Sequence, residues 1–153
     1  MFPRAIASVV ALALYGCAAI ASDAPIPPTP EPASLISVSP VGAEVYFISP
    51  ADGETVTSTF VVQFGLKGMG VAPAGADLSN TGHHHLLIDQ TDAPSSTLPL
   101  PKTEQSLHFG GGQTEASVTL TPGKHTLQLV LGNHLHIPHD PPVVSKVITV
   151  VVK

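Results

Sequence analysis

The sequence is poor in several residue types, and each shortage excludes a class of protein. Its 153 residues include one cysteine, Cys17, no tryptophan, 5% aromatic residues and 11% charged residues. A single cysteine near the start of the chain leaves the later residues without a disulfide. The six basic residues are scattered, so nucleic acid is not an expected partner, and no basic patch is available for an anionic membrane surface. Because 43% of the residues are hydrophobic, the chain is not expected to be disordered.

The start of the chain has the pattern of an export signal. Residues 5–14 form an apolar run behind Arg4, which is long enough for a signal peptide and too short to cross a bilayer. We predict a signal peptide over residues 1–21, or a lipoprotein signal that ends before Cys17, because LYGC resembles a lipobox. Residues 22–40 are predicted as a proline-rich linker. The protein is therefore expected in the periplasm under either alternative. A lipid on Cys17 would anchor it to a membrane only if the lipoprotein signal is the one used.

Residues 41–153 have the pattern of a single β-domain. Short segments such as residues 59–66 and 125–131 alternate apolar and polar side chains, and turns rich in glycine and proline separate them. About seven short antiparallel strands at this spacing indicate an all-β fold, an immunoglobulin-like β-sandwich. The glycine- and proline-rich residues 68–82 are expected to contain no strand.

All eight histidines lie within residues 83–139, and this clustering is the strongest functional signal in the sequence. In a strand, successive side chains point to opposite faces, so His83 and His85 share one face with Cβ atoms about 7 Å apart. We expect His84 to turn toward the core and the other two to face outward together. Two imidazoles at this spacing can converge on one cation.

A second histidine cluster lies some fifty residues further on, in GNHLHIPHD. The predicted metal ligands are His83, His85, His134, His136 and His139, and the possible additional ligands or orienting groups are His108, Asp89 and Asp140. The sequence leaves open whether the two clusters meet in space. Blue copper would need a thiolate, and thioether sites for Cu(I) would need more than Met69, so an all-imidazole site favours Cu(II) or Zn(II).

One histidine has a different expected role. His125 follows the turn in LTPGKHTLQL, at the place where immunoglobulin-like sandwiches often have a tyrosine that bonds back to the backbone. We expect its ring N–H to donate to a nearby carbonyl, which is a structural role.

Several long motifs resemble a known family. These are PADGETVTSTFVVQFGLKGMGVAPAG, TGHHHLLID and LHFGGGQTEASVTLTPGKHTLQLVLGNHLHIPHDPPVVS, which together span most of residues 45–153. They are similar to a family of exported bacterial proteins known as domain of unknown function 4399. The resemblance implies an exported β-domain with these histidines and supplies no activity. In that family HIHFGGGQTE often carries two histidines, whereas this chain has Ser106 at the first of them.

The patterns favour a metal-binding module of the cell envelope. The alternative is a non-catalytic structural or protein-interaction module, with an envelope protein as partner and the histidines in hydrogen-bond networks. An enzyme is the less favoured hypothesis, because the sequence lacks the common catalytic and nucleotide-binding motifs: G-x-S-x-G, H-E-x-x-H and a phosphate-binding loop before a helix.

Overall fold

A computed structural model describes residues 34–90 and 97–153. The predicted signal peptide, Cys17 and most of the predicted linker lie outside these residues. The described part of the chain contains no helix long and apolar enough to cross a membrane. The end of the predicted linker, residues 34–40, belongs to the folded unit Ala33–Lys153.

The described residues form strands and loops, with no helix among them. The strands are β1 (Glu44–Ser49), β2 (Glu54–Val56), β3 (Thr59–Lys67), β4 (Gly70–Val71), β5 (Thr81–Ile88), β6 (Ser106–His108), β7 (Glu115–Thr119), β8 (Gly123–Gly132) and β9 (Ile148–Val152). The predicted all-β class is confirmed. β3 and β8 cover the alternating segments at residues 59–66 and 125–131 that predicted them.

Two sheets pack face to face. One has the order β1-β3-β7, and the other has the order β2-β9-β8-β5-β4 with β6 also paired to β5. The alternation of β3 buries Phe60, Val62 and Phe64 against the second sheet, as its sequence predicts. Leu86, Leu129 and other side chains from the facing sides of β5 and β8 complete this core.

The structure differs from the predicted sandwich in two short elements. β2 and β4 add three and two residues to sheet edges, and both pair in parallel, β2 with β9 and β4 with β5. β4 lies in the segment where no strand was expected. Such short pieces carry no periodic signal that a sequence pattern can show.

Strand β5 is buried on both faces. Its inner face joins the core between the sheets, and its outer face is covered by chain that folds back over the second sheet. Leu87 on this outer face packs with Leu100, Val130 and Val144. The result is that every residue of β5 after Thr81 is buried.

Candidate metal centre

The three histidines of β5 point to alternating faces of the strand. His84 points into the core, where its ring lies 5.1 Å from that of Phe64, and it is fully buried. The prediction that His84 turns inward is confirmed. Burial lowers the pKa of His84, and a backbone group of Gln113 partly opposes that shift.

His83 and His85 share the opposite face, as predicted, but the expectation that this face is outward is wrong. Both side chains are 0% exposed. The chain after β8 turns back on itself, since Gly132 bridges to Pro138, and it covers this face. The pair therefore lies beneath a loop rather than in solvent.

His108 reaches the same place through strand pairing. β6 runs antiparallel to β5 in a register that sets His108 beside His85. Its ring centroid lies 5.1 Å from that of His85 and 5.0 Å from that of His83. One nitrogen from each of His83, His85 and His108 lies within 4.8 Å of the others, a group that could hold a metal ion.

The spacing of these nitrogens suits a transition-metal ion. The Nε2 atoms of His83 and His85 are 3.1 Å apart. Two imidazoles that bind one ion at 2.0–2.1 Å with tetrahedral angles have nitrogens about 3.3 Å apart. Small ring movements would therefore bring the pair to ligand geometry.

Several nitrogen atoms of this group lack a partner. The Nδ1 atoms of His83 and His85 and the Nε2 atom of His108 are buried and make no hydrogen bond. Buried polar groups normally have partners, and exceptions need an explanation. A metal ion held by this group would give His108 Nε2 a partner.

The pKa shifts keep these rings neutral. Burial and then the neighbouring histidines lower the pKa of His83 to about 4 and that of His85 to about 3. Burial, followed by the charges of His136 and Lys102, lowers the pKa of His108. A neutral imidazole keeps the lone pair that a metal needs, so these histidines are in the binding form at neutral pH.

Two glycines make room for the histidine rings. A Cβ on Gly132 would lie 3.0 Å from Nε2 of His85, and a Cβ on Gly110 would overlap the ring of His108. The second glycine begins the GGGQ run after β6, which forms a turn, as its sequence predicts. The first position of this turn also gives space to a candidate ligand.

Replacing Gly110 with Ala should weaken metal binding about tenfold or more, since even groups that only orient ligands contribute 10- to 100-fold. The added Cβ would force the His108 ring out of the group. Competition with a chelator of known affinity measures the change. Gly111→Ala is the matched control, because the three atoms nearest to its Cβ would all belong to the flexible side chain of Gln113, the first at 3.2 Å. Equal affinities in the two variants would contradict this account of the site.

His136 stands beside the three-histidine group. Its ring centroid lies 4.7 Å from that of His108 and 5.0 Å from that of His83. Its φ of +68° is in the left-handed region that residues other than glycine rarely adopt. Such a conformation costs about 1–3 kcal/mol and persists only where the surroundings impose it.

Asn133 and Leu100 impose the conformation of His136. The N–H of His136 donates to the Asn133 carbonyl, and its own carbonyl accepts from Leu100, each at 2.8 Å. The Asn133 side chain accepts from two backbone N–H groups of the same turn and donates to Leu35 and Ser37. The N-terminal end of the folded unit thus helps to hold the corner that carries His136.

The structure does not bring the other two predicted ligands of this segment into the group. His134 points to Asp77, with 3.3 Å between Nδ1 and the carboxylate. His139 is buried, and its two ring nitrogens lie 3.3 and 3.2 Å from the carbonyls of Leu131 and Thr81. The two clusters therefore meet through His136 alone.

The two predicted carboxylates also lie apart from the three-histidine group. Asp140 is exposed and pairs through its backbone with the segment before β1. Asp89 accepts from Nδ1 of His125 at 2.7 Å and from the N–H of Thr126 at 2.8 Å. Nε2 of His125 lies 2.9 Å from the Thr121 carbonyl, which confirms its predicted structural role.

The Asp89–His125 pair should stabilise the fold most between about pH 4 and 6.5. The hydrogen bond with Asp89 raises the pKa of His125 above 6.5, so that contribution is lost as pH rises through the raised value. Burial alone would raise the pKa of Asp89, but the bonds from His125 and Thr126 lower it below 3.8. That contribution is lost as pH falls through the lowered value.

The variant Asp89→Asn tests this pair. With both proteins treated with chelator, the unfolding free energy of the variant should be lower than that of the wild type by a few tenths to about 1 kcal/mol near pH 5.5. The difference should be smaller at pH 8.5. It is small at both pH values because solvent screens a partly exposed pair. Denaturant unfolding at the two pH values measures the difference. Asp52→Asn is the control, since Asp52 accepts a backbone N–H from Thr149 and faces no described histidine. A loss that is the same at both pH values would refute the coupling.

The chain was also compared with known proteins. The model of a family described as Domain of unknown function (DUF4399) matches residues 62–153. This range contains all eight histidines. No curated protein and no solved structure matched the chain.

Proposed function

The chain belongs to the family described as Domain of unknown function (DUF4399), and we propose that in this member the histidines of the family region bind a divalent transition-metal ion. The ligands are His83, His85 and His108, with His136 beside them. The observation that carries the proposal is the convergence of three imidazole nitrogens within 4.8 Å, on strands where two of the rings are fully buried.

The ligand type supports Cu(II) or Zn(II). Imidazole suits both ions, and the group contains no thiolate or carboxylate to favour Fe–S clusters, Mg²⁺ or Ca²⁺. Zn(II) is commonly held by three protein ligands in sites that keep one position open. Cu(II) binds a given nitrogen site more tightly than Zn(II).

The place of action in this proposal is the cell envelope. Support comes from the sequence of residues 1–21, with its apolar run and the alternative lipidation position Cys17. An exported domain that binds copper or zinc on a proline-rich spacer would serve in metal handling there. An envelope protein that delivers or accepts the ion is the natural partner.

The alternative is that the histidines serve only in a hydrogen-bond network. This alternative fits two histidines outside the three-histidine group. His125 and His139 both face backbone carbonyls. In the three-histidine group, by contrast, Nε2 of His108 is unpaired although its ring lies next to those of His83 and His85, whose Nε2 atoms join in one hydrogen bond. Unpaired buried nitrogens destabilise a protein unless something binds them.

Elemental analysis of tag-free protein from its native compartment tests the proposal. We expect close to one copper or zinc ion per chain. Protein that carries no metal, and that binds added Cu(II) and Zn(II) no more tightly than its His83→Ala variant, would overturn it. Competition titrations with chelators supply that second measurement.

A further inference from the structure

The histidine group is closed on one side and open on the other. His83 and His85 are fully buried, whereas His108 and His136 are only partly buried. The rings of His108 and His136 are 4.7 Å apart between centroids. Of the four residues, these two are therefore the nearest to solvent, although Nε2 of His108 is itself buried.

The group provides three ligands where a tetrahedral ion takes four. His136 is not within the 4.8 Å group, although its ring is 5.0 Å from that of His83 and 5.9 Å from that of His85. With His136 outside the group, an ion held by its three nitrogens would keep one position free.

A divalent ion at this position would carry a positive charge that nothing in the group balances. Three neutral imidazoles leave the full charge of a divalent ion in a buried place, and no described carboxylate belongs to the group. A charge out of water needs a counter-charge nearby, because the surrounding dielectric is low.

Lys102 adds to this positive field. The chain around it runs along the open side, since Leu100 donates to the His136 carbonyl and Thr103 forms a bridge with Ser106 on the strand of His108. The side chain of Lys102 is exposed to solvent.

We propose that the metal centre binds a small anion from solution at its free position, between His108 and His136, and that Lys102 strengthens this binding. This inference rests on the proposed metal function and names the class of ligand that such a site takes. A small inorganic or carboxylate anion would supply the missing negative charge.

Azide titration of the Cu(II)-loaded full chain tests the inference. Azide bound to Cu(II) adds a charge-transfer absorption band and changes the electron paramagnetic resonance spectrum, so saturation gives its affinity. We expect a saturable change in the wild type. A spectrum that azide leaves unchanged in the wild type, but alters in His136→Ala, would overturn the inference by showing that His136 is a fourth ligand.

The lysine has a matched control. Lys102→Gln should weaken azide binding about three- to tenfold at low salt, and the effect should shrink as ionic strength rises. Lys124→Gln should change nothing, because Lys124 is exposed at the far end of β8 from the residues that pair with His83. Equal azide affinities for the two variants would remove Lys102 from the site.

Failure of the underlying function is distinguishable from failure of this inference. If the chain holds no Cu(II) in the three-histidine group, the wild type and His85→Ala give the same metal titration before any azide is added. If it holds Cu(II) and ignores azide, only the anion site is wrong.

Discussion

Saturating Cu(II) or Zn(II) should raise the melting temperature of the chain by roughly 15 °C over the chelator-treated protein. A ligand at about 1,000 times its dissociation constant stabilises the folded state by about 4 kcal/mol if the unfolded chain does not bind it. For a domain of this size each kcal/mol corresponds to about 3–5 °C. The rise should be smaller if the eight histidines of the unfolded chain also bind the ion.

Differential scanning calorimetry with and without chelator measures this shift. The variant His134→Ala should show the same rise in melting temperature, because His134 faces Asp77 and lies outside the three-histidine group. A hydrogen-bond network without metal predicts a melting temperature that chelator and added ion leave unchanged. That result would favour the structural alternative.

Replacing His85 with Ala should weaken binding of Cu(II) or Zn(II) about 100-fold or more. The reason is that His85 supplies one of three convergent nitrogens, and groups that merely orient ligands already contribute 10- to 100-fold. Its side chain is fully buried, so the variant should also lose stability in the absence of metal.

A separate measurement of folding distinguishes a loss of metal affinity from a loss of structure. Circular dichroism and the chelator-treated melting temperature show whether His85→Ala is folded, and only folded protein is titrated. His139→Ala is a useful comparison, because its ring faces two backbone carbonyls and it should lower stability with a much smaller effect on affinity. Similar losses of affinity in both variants would mean that stability, and not ligation, controls metal binding.

The predictions from sequence that the structure confirms depend on local patterns, such as the alternation of side chains along a strand. Alternation identified the strands of the core, and the same alternation separated His84 from His83 and His85. The turn before His125 identified its structural role. These features depend on neighbours in the chain, so the sequence carries them directly.

The features that the sequence could not show depend on distant pairing. His108 enters the group because β6 pairs with β5, and no spacing in the chain states that register. The roles of Gly110 and Gly132 are visible only when the rings they accommodate are in place. The signal in the sequence is position alone: Gly110 lies two residues after His108, and Gly132 lies two residues before His134.

The sequence by itself determined an all-β chain with its histidines concentrated in one region, because composition and period are properties of the chain. Tertiary structure decided which histidines meet. The loop after β8 buries His83 and His85 and brings in His136, while backbone carbonyls engage His139 and a carboxylate engages His134. Convergence of side chains on a point requires strand register and loop closure, and both arise from packing between residues far apart in sequence.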